Sequence, residues 1–115
     1  MEYQCMRCNS KMQIDIIFEE LEQKYGEDFP WLLVQPDSSF LHEAYREISQ
    51  SHPLSGMKLT CLAKCGANDD VLFLTEHGQF VVIHLTYSET NAPGYPIYKL
   101  FDTHLEVKQY LEQSY

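Results

Sequence analysis

An α+β domain, with a four-stranded, mostly antiparallel sheet packed with helices in the order ααββββα, is the fold class that this 115-residue sequence predicts. The first observation behind it is a pair of apolar β-type runs, 71–75 and 80–87, joined by a short turn containing Gly78. The second is a pair of stretches upstream whose apolar residues recur at helical spacing. The third is a downstream stretch that opens on a capping box.

In the second β run, Val81, Ile83, Leu85 and Tyr87 share one face, while Phe80, Val82, His84 and Thr86 share the other. Both faces are largely apolar, as in a strand whose sheet is covered on both sides. Val71-Leu-Phe-Leu-Thr75 reads the same way. The connection Glu76-His-Gly-Gln79 is short and holds a residue that takes positive φ without a steric cost, so an antiparallel hairpin is expected.

The first helix is expected to start at Ser10, where Ser10-Lys-Met-Gln13 fits a capping box, and to end at Gly26. Ile14, Ile17, Phe18, Leu21 and Tyr25 form its apolar side, and Asp15, Glu19, Glu20 and Glu22 a solvated one. Residues 27–37 hold Pro30, Pro36 and the only tryptophan, which predicts an irregular crossing segment with at most a short strand at 31–34. Asp37 or Ser38 caps a second helix with the stripe Phe40, Leu41, Ala44, Tyr45 and Ile48. Pro53 disfavours a helical His52 and closes that region. Strands are expected at 57–64 and 96–102, separated from the hairpin by a turn-rich loop over 88–96. Thr103 and Glu106 then form the capping box of a last helix whose apolar side is Leu105, Tyr110, Leu111 and Tyr115.

The length suits one domain over 1–115, in which residues 1–10 form either a zinc knuckle or an extension without order. Cys5 and Cys8 have the spacing at which a tight turn aims two thiolates at one zinc ion. The remaining ligands would be Cys65 with Cys61 or a nearby histidine. On one regular strand Cys61 and Cys65 share a face about 13 Å apart, so the strand would have to turn near Ala63 for both to serve. The alternative makes Cys61 a small core residue.

Seventeen acidic against eight basic residues give a net charge of −9, which argues against nucleic acid and anionic membrane as partners. No run approaches the roughly 18 apolar residues of a membrane span, and the start lacks the apolar stretch of a secretory signal, so a cytoplasmic protein is expected. Acidity of this degree speeds encounter with a basic protein, or serves solubility alone. Trp31, Tyr87 and Tyr95 are the candidate contact residues for such a partner, with Trp31 also suited to the core. The candidate chemical pair is His84 with Asp70, opposite each other if the strands pair through the Glu76–Gln79 turn. Such a pair orients a general base, or is a histidine hydrogen-bonded for structural reasons. No phosphate loop or nucleophile elbow accompanies it.

His52-Pro-Leu54, Asp69-Asp-Val-Leu-Phe73, Ile83-His-Leu-Thr-Tyr87 and Phe101-Asp102 together resemble the order of segments in a group of small uncharacterised bacterial proteins, which read Val-His-Leu-Thr-Trp where this chain has Ile83 to Tyr87. The resemblance covers about the C-terminal half, implies a bacterial cytosolic origin and an autonomous fold, and brings no activity. The first expectation for function is therefore a non-enzymatic interaction protein, immunity-like in its most specific form. The alternatives are a zinc-stabilised domain and an enzyme using His84 with Asp70.

Overall fold

Strands with two apolar faces need a cover on each side, and the fold supplies both covers. The computed structural model describes residues 6–89 and 92–113. Among the described residues three α-helices, α1 (Met6–Tyr25), α2 (Ser39–Glu47) and α3 (His104–Gln113), accompany five strands, β1 (Trp31–Leu33), β2 (Leu59–Cys65), β3 (Asp70–Thr75), β4 (Phe80–His84) and β5 (Tyr98–Phe101). The strands lie in the order β1-β2-β3-β4-β5, every neighbouring pair antiparallel. On one face, Leu72, Leu74, Phe80 and Val82 pack against Ile14, Phe18 and Leu21 of α1 and Val107 and Leu111 of α3. On the other, Val71, Phe73, Val81, Ile83 and Leu85 pack under Ala44 of α2, with Phe40, Leu41 and Ile48 closing the rim. No helix among the described residues is long and apolar enough to cross a membrane.

The α+β class is as expected, and so is the hairpin: β3 and β4 pair antiparallel with Asp70 opposite His84 and Leu74 opposite Phe80. Gly78, at φ +81°, makes the turn, where its N–H donates to the Thr75 carbonyl at 3.1 Å. The sheet has a fifth strand, however, and the order is αβαββββα rather than ααββββα. The added strand is the segment at Trp31, confined by Pro30 and Pro36 to the sheet edge, where the missing N–H groups of proline cost no ladder bond. Helix α1 begins at Met6, a turn before Ser10, so Cys8 lies in a helix and not in a knuckle turn; its side chain and all of Cys5 lie outside the description.

At α3 the expected capping box is present. Thr103 Oγ1 accepts from the Glu106 N–H at 3.2 Å, and Glu106 Oε1 accepts from the Thr103 N–H at 3.0 Å. Leu105, expected inside, is 60% exposed, and Val107 takes the core position in its place. Tyr115 lies outside the described residues.

A bulge in β2 changes the reading of its cysteines. Cys61 pairs with Phe73 but Ala63 pairs with Leu72, so Leu62 is an extra residue and the alternation of faces shifts there. Leu59 and Cys61 belong to the core under α2, whereas Leu62, Ala63 and Cys65 belong to the core under α1 and α3. The expected common face of Cys61 and Cys65 is thus corrected: the two thiols stand on opposite sides of the sheet.

Candidate functional site

The end of β4 holds the first polar site, built by α2. Leu85 continues the ladder by donating its N–H to the Asp69 carbonyl at 3.0 Å, but the next two N–H groups turn to a side chain. Glu47, the last residue of α2, has a wholly buried side chain. Its Oε1 accepts from the Thr86 N–H at 2.8 Å and the Thr86 hydroxyl at 3.0 Å, and its Oε2 accepts from the Tyr87 N–H at 2.8 Å. A carboxylate that takes two consecutive backbone donors ends the strand, which is why β4 stops at His84 rather than at the expected Tyr87. Tyr87 is left in the left-handed region at φ +58° with its residue half exposed. That conformation costs a non-glycine residue about 1–2 kcal/mol and persists because its surroundings hold it. Partial burial, followed by the negative charges of Asp69, Glu43 and Glu47, raises the Tyr87 hydroxyl above the ordinary tyrosine range.

Arg46 neutralises part of this acid. Its Nε donates to Glu43 Oε1 at 3.0 Å, its Nη2 bonds the other oxygen of Glu43 and the Ser88 carbonyl at 2.8 Å, and Glu47 Oε2 is 3.9 Å away. The guanidinium holds the Glu43 carboxyl below its usual range. Beside it opens a cavity of about 570 Å³ between the segment that follows α2 and the loop that follows β4, lined in part by Ser49, Ser51, His52, Ser88, Glu89 and Tyr95. His52 is buried and its protonation is legible from its partners. The Leu54 N–H donates to Nδ1 at 3.1 Å and the Pro96 carbonyl lies 2.9 Å from Nε2, so the ring is neutral with its proton on Nε2.

The second site lies across the sheet. As the hairpin register predicts, Asp70 meets His84: Nδ1 donates to Oδ1 at 2.8 Å. The Tyr110 hydroxyl of α3 donates to Asp70 Oδ2 at 3.4 Å, and Lys99 Nζ stands 5.7 Å from the Tyr110 ring centre. Burial, then the charge of Asp70, raises the Tyr110 hydroxyl above its ordinary range. The His84 side chain is 51% exposed, and neither it nor Asp70 lines the 570 Å³ cavity.

Of the other expected residues, Tyr95 is on the surface at the cavity wall, but Trp31 is 1% exposed in the core under α1, so of its two expected roles it takes the core one and is corrected as a contact residue. Cys61 and Cys65 are both buried free thiols on opposite faces and cannot share an ion. Burial is the largest influence on the Cys61 thiol and pushes it up. Glu47 was not singled out from sequence, although a signal exists: three residues from Ala44 and next to Ile48, it is a carboxylate within the apolar stripe of α2.

No family model matches the chain, and neither a curated protein nor a solved structure matches it.

Proposed function

We propose that the protein is a non-enzymatic interaction module that docks a basic protein against the face bearing Tyr87 and Tyr95. A toxin-neutralising immunity role is the most specific form of this reading. The observation that carries it is the grip of Glu47 on the Thr86 and Tyr87 N–H groups, which holds a half-exposed aromatic in a left-handed conformation. A tyrosine fixed in advance loses little freedom on binding, and such residues dominate binding energy at interfaces. The acidic setting supports a partner of opposite sign: Asp69, Glu43 and Glu47 all act on Tyr87, and the chain carries −9 overall.

The test is photo-crosslinking in cells of the protein's own source, with p-benzoylphenylalanine at position 87 or 95 and, as a control, at His77 in the hairpin turn at the far end of β4. One basic protein is expected to attach at 87 and 95 but not at 77. Its capture should weaken as ionic strength rises from about 0.01 to about 0.1 M, where the screening length falls from ~30 to ~10 Å. Absence of a product at both positions, or equal products at all three, refutes the reading.

A further inference from the structure

We propose that the 570 Å³ cavity beside Arg46 receives a lysine or arginine side chain of the partner, with Glu89 as counter-ion and Tyr95 as the wall along its alkyl stem. This deepens the docking reading above and rests on it.

Charge is the first argument. Among the described residues of the cavity wall, Arg46 is the cation and Glu47 and Glu89 are the carboxylates, an excess of one negative charge, and Glu43, outside the lining, is a third carboxylate acting on Arg46. Its guanidinium is tied to Glu43 through Nε and Nη2, and the same Nη2 reaches the Ser88 carbonyl, so it acts as an internal strut. His52 adds no charge, because its Nδ1 accepts a backbone N–H and its remaining proton goes to the Pro96 carbonyl. Glu47 is occupied by Thr86 and Tyr87. Glu89 is exposed, and it is the carboxylate of the cavity placed to meet an incoming cation.

Shape and chemistry agree with that charge. Pro93 and Tyr95 supply apolar and aromatic wall, and Tyr95 is 45% exposed, so its ring can take a cation against its face. Ser49 and Ser51, with hydroxyls 3.2 Å apart, offer neutral acceptors on the opposite wall. A long basic side chain uses such a site along its whole length, the stem on the apolar wall and the head on the oxygens. Tyr87 immediately precedes Ser88 of the cavity wall, so one basic segment can cover the tyrosine and fill the cavity together.

The experiment is an amide-shift titration of the full chain with Nα-acetyl-arginine methylamide, its lysine counterpart, and Nα-acetyl-glutamate methylamide as the control. The basic probes should move the Ser51, Ser88 and Tyr95 amides in a saturable way, with dissociation constants on the order of 1 mM. Glu89→Gln should weaken that binding at least about threefold, and Tyr95→Ala should do the same for the arginine probe. Both positions are exposed, so the fold is expected to survive, and an unchanged amide spectrum elsewhere verifies it. Shifts spread over the acidic surface without saturation, or tighter binding of the glutamate probe, overturn the assignment. If position 87 crosslinks to a basic protein while Glu89→Gln changes neither capture nor titration, the cavity assignment falls and the docking reading stands. If the basic probes saturate the cavity but no crosslink forms at 87 or 95, the cavity binds cations and the docking reading fails.

Discussion

Glu47 and Asp70 stand on opposite faces of one sheet, and each carboxylate holds groups at the same end of β4. Glu47 is wholly buried, and what it binds is backbone. Asp70 is partly exposed and binds two side chains, one of which, His84, is half in water. The first arrangement decides where the chain goes. The second decorates a chain whose path is already set by the hairpin ladder. The difference teaches that the carboxylate legible from register need not be the one on which the shape of the surface depends.

Substitution is the direct way to break this contrast. Glu47→Ala leaves the partly buried Thr86 and Tyr87 N–H groups without this acceptor, and a loss of about 3 kcal/mol in urea unfolding is expected. A loss below about 1 kcal/mol would mean that the segment re-forms with water and that the grip is not what holds it. Tyr87→Gly should act in the opposite direction. Glycine accepts φ +58° freely, so stability should stay level or rise by up to about 1 kcal/mol, while crosslinking from position 95 falls.

Acid should act on the Glu47 side through Glu43. Its folded value is lowered by Arg46, so its contribution is present above the unfolded carboxylate value near 4.3 and is lost as pH falls through the lower folded value. Stability measured between about pH 5 and pH 2 should therefore fall less steeply in Glu43→Gln than in the parent chain. The smallest effect is expected across the sheet. Asp70→Asn should change stability by no more than about 0.5 kcal/mol, because the pair it breaks is solvated. It should nevertheless move the Tyr110 titration, followed by the ring Cζ resonance, part of the way down, since burial remains as the larger cause of its rise. A Tyr110 titration that does not move would remove Asp70 from its environment.

The sequence discloses those features whose physics is local or strictly periodic. Alternation with period two and a short turn at Gly78 are enough to set Asp70 opposite His84. Thr103 and Glu106 announce their helix because a capping box is complete within four residues. The fifth strand was visible only as an apolar fragment between two prolines, since its partner, β2, lies some thirty residues away. Glu47 and Thr86 are farther apart still, 39 residues, and no spacing rule links them. The cavity depends on how the segment after α2 faces the loop after β4, a relation of two irregular stretches that carry no period at all.

The bulge at Leu62 has a consequence for spectroscopy. It makes β2 a strand with one native thiol in each half of the interior, Cys61 beneath α2 and Cys65 beneath α1 and α3. In a Cys5→Ser, Cys8→Ser background, the infrared S–H stretch of each remaining thiol would register the dryness of its own compartment with no added label. Heating such a protein would show whether the two halves loosen at one temperature or at two.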